Sequence, residues 1–259
     1  MPRKQTLTAL ATLAIGVAAA TSAHAACLSD VQVAEMAEHY AARTPAANPE
    51  GLSDADGACT RAKFNSLLAQ KMGKVVGYKA GLTNPAVQKR FNTDRPVWGK
   101  LYEGMVLANG AAVPATFGAR PLYEADMLVR VKSASINHAR TPMEVLESID
   151  QVIPFIELPD LMVQAPPKLN GAGVTAINVG ARLGVVGTPI PVPVTRGERY
   201  ALLNGLQAMQ VTLTDGAGYL LGGGKGSDVL EHPLNAVVWL AEALQKEEIT
   251  LQQIGRAHV

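Results

Sequence analysis

Cysteine is scarce in this chain: Cys27 and Cys59 are the only two among 259 residues. Two sulfurs cannot build a cysteine-rich zinc site, and neither has a histidine beside it in sequence to make a nucleophilic pair. Aromatic residues reach only 5%, and no charge of one sign dominates, with 23 Lys+Arg set against 22 Asp+Glu. No basic block occurs along the chain, so the electrostatic footprint of a nucleic-acid or acidic-membrane binder is missing. Also absent are a G-x-S-x-G elbow, an H-E-x-x-H helix and a dinucleotide fingerprint. The run Gly222-Gly223-Gly224-Lys225-Gly226 lacks the Walker spacing and the Ser or Thr after its lysine, so it reads as a flexible turn near a site. What is present is globular composition, 48% hydrophobic, with length for one large core or two small ones.

The first 25 residues read as an export signal. Arg3 and Lys4 precede an apolar, Ala-rich run over residues 7–20, and Ala23-His24-Ala25 supplies the small residues of a cleavage site before Ala26. The run is too short to cross ~30 Å of hydrocarbon as an anchor. The protein is therefore expected in the periplasm or secreted, away from the membrane. In that oxidising setting a Cys27–Cys59 bridge is expected, with two free thiols as the alternative.

Past the leader, a helix is expected from Asp30 to Ala42, its stripe formed by Val31, Ala34, Ala37 and Tyr40. Ser53 and Asp56 make a capping-box start to a second helix that Gly73 ends. After Lys74 the texture changes to short β-like runs punctuated by Gly and Pro. Thr141-Pro142-Met143-Glu144 starts a further helix, and another follows His232-Pro233 with Leu234, Val237, Ala241 and Leu244 buried. The organisation is a helical part over residues 26–73 packed on a mixed α/β body over residues 74–253.

Three acids stand out. Residues 120–132 alternate as a strand, placing Tyr123, Ala125, Met127, Val129 and Val131 on one face and Glu124 with Asp126 on the other. Glu157 ends the run 152–158, which otherwise reads as buried. Burying a carboxylate without a partner is costly, and a divalent cation can satisfy several at once. Oxygen-only ligation favours a hard ion, Mg²⁺ or Mn²⁺, with an Arg or Lys salt bridge as the competing explanation. Lys79 sits among Val75, Gly77 and Gly81, where it either enters a site beside a metal-bound anion or ends an edge strand. His232 precedes a helix, suiting it to substrate contact or to capping.

These segments occur together in a known order. Gly77-Tyr78-Lys79-Ala80-Gly81-Leu82-Thr83, then Arg120-Pro121 leading to Glu124-Ala125-Asp126, then residues 154–157, then Gly226-Ser227 with His232-Pro233-Leu234-Asn235-Ala236 and Trp239-Leu240-Ala241 follow one another, within a resemblance that covers about residues 31–246. The chain resembles the 2-keto-4-pentenoate hydratase family of the fumarylacetoacetate hydrolase superfamily. The resemblance implies a mixed α/β (α+β) fold, a bent β-roll with helices packed around it. It implies Mg²⁺ or Mn²⁺ held by Glu124, Asp126 and Glu157, Lys79 as the catalytic residue, and Asn178, Lys225 and His232 at the substrate. The implied reaction adds water to a short 2-hydroxydienoate, with C–C hydrolysis, decarboxylation or plain oxo-acid binding as alternatives. A homo-oligomer is the accompanying expectation.

The chain departs from the family pattern in three places. Glu103-Gly104-Met105 stands where relatives carry two acids before Met, Ile177-Asn178-Val179-Gly180 replaces D-N-x-S, and Glu231 replaces a Gly. Residues 254–259 read as a non-native tail on a truncated domain, which predicts a sheet edge left unpaired.

Overall fold

The computed structural model describes residues 27–251 and the backbone of residues 256–258. The expected leader and the rest of the expected tail lie outside the described residues. Among the described residues no helix is long and apolar enough to cross a membrane.

Two helices open the fold, α1 (Asp30–Ala42) and α2 (Asp54–Met72). Each starts with a capping box, Ser29 with Gln32 and Ser53 with Asp56, which satisfies backbone N–H groups that the first turn leaves without partners. The buried face of α1 is Val33, Met36 and Tyr40, whereas Val31 is 68% exposed. The expected stripe is thus rotated, because the larger side chains of Val33 and Met36 remove more apolar area from water against α2 than the alanines would. Cys27 and Cys59 are bonded, with Cα atoms 5.7 Å apart, tying the segment before α1 to α2.

The sheet begins with β1 (Val75–Gly81), followed by α3 (Pro85–Arg90), β2 (Val97–Tyr102) and β3 (Val106–Leu107). Next come β4 (Glu124–Val131), α4 (Pro142–Ser148) and β5 (Ile149–Leu158). Thr141 and Glu144 form the expected capping box of α4. Then follow α5 (Gly171–Ala176), β6 (Leu183–Val186), β7 (Ile190–Pro191) and α6 (Arg196–Ala208). The chain continues through β8 (Gln210–Thr214), β9 (Leu220–Lys225), α7 (Pro233–Gln245) and β10 (Arg256–His258). The main sheet runs β2-β1-β10-β4-β5-β6-β3, with β7 also on β5, while β8 and β9 pair as a separate hairpin.

Alternation along β4 and β5 gives the sheet two cores. Met127, Val129, Val131 and Val152 join α4 and α7, where Leu234, Val237, Ala241 and Leu244 are all fully buried as expected. Leu128, Ile153 and Phe155 face the other way, onto α1, α2 and α5. Each fully buried Leu, Val or Phe contributes about 1.5–3 kcal/mol, so the β4–β5 ladder is clamped from both sides. Tyr123 does not join the first core: it is 55% exposed, because the strand starts one residue later, at Glu124.

Two further expectations change. Gly222-Gly223-Gly224-Lys225 is strand, not turn, and forms most of β9. Residues 256–258 do not leave an unpaired edge: β10 lies inside the sheet, parallel to β1 and antiparallel to β4. Ladder hydrogen bonds are made by backbone groups, which every non-proline residue supplies.

Candidate active site

The register of β4 on β5 builds the site. Glu124 lies directly opposite Glu157, Asp126 opposite Phe155 and Leu128 opposite Ile153, so all these side chains share one face of the ladder. Directly opposed residues have Cβ atoms roughly 4.5–5.5 Å apart, and the next residue on the same face is a diagonal neighbour. Glu124, Asp126 and Glu157 accordingly present carboxylate oxygens within 4.8 Å of one another. Leu128, Ile153 and Phe155, all buried, form the apolar floor beside them.

Lys79 completes the cluster from β1. Its ammonium donates to Glu157 Oε1 and, at 3.1 Å, to the Val179 carbonyl. Lys79 and Glu157 are each 3% exposed, so the edge-strand reading of Lys79 is replaced by a buried ion pair inside the sheet. Val179 reaches this position in the left-handed region, at φ 56°, between Asn178 at φ 54° and Gly180 at φ 63°. A β-branched residue there is strained by roughly 1–3 kcal/mol, which the surrounding fold supports where it aims a carbonyl at Lys79.

Three carboxylates meet one ammonium, and the titration behaviour follows. Glu124 keeps solvent contact and Asp126 is half-buried, yet protein crowds both closely enough that desolvation dominates. Burial, then the charge of Asp126, raises the pKa of Glu124, while Lys79 and a hydrogen bond from Glu157 pull it back. Burial likewise pushes Asp126 up to about 6 against the opposing pull of Lys79 and Glu157. Carboxyl groups in mutual hydrogen bonds must share protons, and a divalent cation is the alternative way to hold such a group together. The all-oxygen donor set suits a hard ion of the Mg²⁺ or Mn²⁺ kind.

The cluster lines a cleft of about 390 Å³, whose wall also includes Thr83, Asn84, Arg90, Phe91, Leu122 and Val179. Lys225 lies across a neighbouring opening that Glu124 and Asp126 also line, so the structure brings this residue to the acids through β9.

Asn178 and His232 are not brought there. Asn178 Oδ1 accepts from the Lys100 N–H at 2.8 Å and Asn65 Nδ2 at 3.1 Å, and its Nδ2 donates to the Lys100 carbonyl at 3.0 Å. It thereby pins the Val179 turn to β2. His232 caps α7, its Nδ1 accepting from the Leu234 N–H at 3.0 Å while Nε2 lies 3.0 Å from the Leu203 carbonyl. Burial lowers its pKa, in keeping with a neutral ring.

Sequence reasoning missed Asp160, which is buried and central. Its carboxylate accepts from the N–H groups of Ala119, Arg120 and Met162 at 2.7–3.1 Å and pairs with Arg182 at 3.3 Å. It ties the segment entering β4 to the segment leaving β5, so it positions the acids from behind. Its place two residues beyond β5 carries no pattern that marks it. Thr83 and Asn84, in the β1–α3 connection, and Arg90, at the end of α3, were also missed, because topology alone brings them to the cleft that the acids line.

No family model matches the chain. A 2-hydroxypent-2,4-dienoate hydratase of Pseudomonas putida is 30% identical over 175 residues, 66% of this chain and 73% of that protein. A 2-keto-4-pentenoate hydratase of Burkholderia vietnamiensis is 29% identical over 182 residues, 70% of this chain. The match spans 65% of the Burkholderia protein, just under two thirds of its length. Among solved structures, a Pseudomonas putida 4-oxalocrotonate decarboxylase complexed with magnesium and adipate superposes with a TM-score of 0.72, covering 90% of this chain and 88% of its own at 22% identity. That likeness is one of fold. With a relative at 30% identity that is covered over 73% of its length, the chain belongs to the 2-keto-4-pentenoate hydratase family.

Proposed function

We propose that the protein is a divalent-metal-dependent hydratase that converts a short 2-hydroxydienoate into a 4-hydroxy-2-oxo acid. The observation that carries this reading is the convergence of Glu124, Asp126, Glu157 and Lys79 in one cleft. Glu124, Asp126 and Glu157 would hold Mg²⁺ or Mn²⁺. When bound, the ion would supply positive charge to the carboxylate and adjacent oxygen of the substrate as electron density builds there.

The chain's own groups account for the rest. An ammonium has three donors, and Lys79 spends two on Glu157 and the Val179 carbonyl, leaving one N–H for a substrate oxygen. The reaction first moves a proton from the 2-hydroxyl to C5, giving the conjugated 2-oxo-3-enoate. Water then adds at C4 and a proton arrives at C3. Lys79 Nζ is assigned to these proton movements and to the oxygen that carries negative charge between them. Leu128, Ile153 and Phe155, buried on the same face of the ladder, keep that side of the acids apolar. Lys225, which lines an opening with Glu124 and Asp126, would attract the acidic substrate there. The export expected from residues 1–25 remains part of this proposal, supported by the Cys27–Cys59 bond, which an oxidising compartment favours.

The test follows the ultraviolet absorbance of 2-hydroxypenta-2,4-dienoate with the full chain, with Mn²⁺ and with chelator. Metal-dependent loss of the dienoate with a 4-hydroxy-2-oxo product supports the proposal. Carbon dioxide release or chain cleavage from a related oxo-acid would move the reading to a decarboxylase or hydrolase. Binding without turnover would leave an oxo-acid-binding protein.

A further inference from the structure

A second cavity, of about 460 Å³, is lined by α1 and α2 together with residues from 113–117 and 182–183. It shares no lining residue with the cleft that contains Lys79 and Glu157. Its apolar wall includes Ala34, Ala37 and Ala41 of α1 and Leu67, Leu68 and Met72 of α2. Ala34 and Ala37, from the apolar stripe that the sequence marks on α1, thus face a space that their methyl groups are too short to fill.

Arg182 lines the same cavity, with only 9% of its side chain exposed. Its Nε donates to the Phe117 carbonyl, and Nη1 donates to the Tyr40 carbonyl at 2.9 Å and to Asp160 Oδ2 at 3.3 Å. The guanidinium carbon lies 4.2 Å from the centre of the Tyr40 ring. These bonds use three of the five N–H donors of an arginine, and Nη2 has no partner among the described residues. Buried donors are as a rule paired, so Nη2 is a group that a ligand would satisfy. Asp160, on the other side of the pair, accepts from the N–H groups of Ala119, Arg120 and Met162. The guanidinium is therefore held in position before any ligand arrives, which lowers the cost of binding one.

The charge of the cavity has one sign. Asp160 balances Arg182, while Arg43 and Lys71 outnumber Glu38, the one acid in the wall. The Arg43 and Lys71 side chains are exposed and make no hydrogen bond or ion pair among the described residues. An apolar wall, a positive surplus and two unused hydrogens on a buried guanidinium suit an anion with an apolar body. The volume lies within the roughly 300–1,000 Å³ of sites that take small organic ligands.

We propose that this cavity is a second binding site, for a small monocarboxylic acid with an apolar body, whose carboxylate Arg182 receives on Nη2. The site stands independently of the reaction proposed for the acidic cleft.

The experiment measures binding of 4-phenylbutanoate and of its uncharged counterpart 4-phenylbutanol to the full chain by calorimetry, once with Mn²⁺ and once with chelator. The acid is expected to bind with a dissociation constant below about 1 mM and at least about tenfold more tightly than the alcohol, the worth of one charge-assisted hydrogen bond. Both affinities should be the same with metal and without. Ala37→Phe, which fills the cavity from a helix surface, should abolish binding of both. Arg182→Lys keeps a cation for Asp160 but loses the Nη2 donors, so it should weaken the acid to the level of the alcohol and leave the alcohol unchanged. If that variant does not fold by circular dichroism, Ala37→Phe and the comparison of acid with alcohol decide the matter. No binding of the acid at 1 mM, equal affinity for acid and alcohol, binding that requires Mn²⁺, or binding that survives Ala37→Phe overturns the proposal. So does a change of mass in Ala37→Phe by sedimentation, which would make this face an interface between copies of the chain.

Discussion

Replacing Lys79 by Met tests whether the acids and the ammonium form one electrostatic unit. Lys79 and Glu157 are each 3% exposed, so the substitution keeps most of the side-chain volume but leaves the buried carboxylate without its cation. Removing one partner of a buried pair costs about 3–5 kcal/mol. Proton uptake by the cluster offsets part of this, placing the expected loss near 3 kcal/mol in urea unfolding with chelator present. Mn²⁺ at a hundred times its dissociation constant should stabilise the wild type by about 2.7 kcal/mol. In Lys79→Met the repelling ammonium is gone, so Mn²⁺ binding should tighten. A tenfold change raises the stabilisation to about 4.1 kcal/mol at the same metal concentration, and the gap between the two proteins narrows by about 1.4 kcal/mol. Equal or smaller stabilisation of the variant by Mn²⁺ would refute the coupling of Lys79 to the cation. A metal-free variant as stable as the wild type would refute the cost of leaving Glu157 alone.

Glu157→Gln retains an acceptor for Lys79 but removes a ligand charge, so Mn²⁺ affinity should fall at least about tenfold by calorimetry; unchanged affinity would reassign the ligand. The metal-free protein should lose stability as pH rises from about 4 through about 6, because Glu124 and Asp126 have folded pKa values raised above their unfolded ones. That contribution is complete below the unfolded values and disappears once the folded Asp126 ionises. Added Mn²⁺ should abolish the decline, and a flat metal-free profile over this range would count against the crowding of the acids. Glu231 sits at φ 67°, and only its backbone carbonyl is used, by Gln207 Nε2 at 3.1 Å. Glu231→Gly should therefore stabilise the chain by roughly 0.5–1 kcal/mol in urea unfolding, the left-handed strain relieved less the extra freedom of the unfolded glycine; a loss of stability would show that the side chain matters.

What the sequence made legible was local. The capping boxes at Ser53 and Thr141 and the buried stripe of α7 depend on residues a few positions apart, and they stand as expected. α6 was equally readable from Thr195 with Glu198, the same capping pattern, but was not singled out. The acids were readable for a different reason. A carboxylate on a strand that is otherwise apolar, Glu157, conflicts with burial, and such conflicts mark places where function overrides local preference. Their meeting, however, is a property of register: sliding β5 by one residue against β4 would send Glu157 to the opposite face. Nothing within either strand states that register; the hydrophobic alternation on both sides, Leu128 and Ile153 one way and Val129 and Val152 the other, enforces it through the two cores. Asn178 and His232 were misplaced by the same logic in reverse. Their residue types suit a ligand, yet a buried amide and a buried imidazole satisfy their polar atoms wherever a backbone group needs a partner, and here β2 and α7 supplied those needs first. Asp160, which ties the segment entering β4 to the segment leaving β5, becomes visible only when the ladder that it flanks has been assembled.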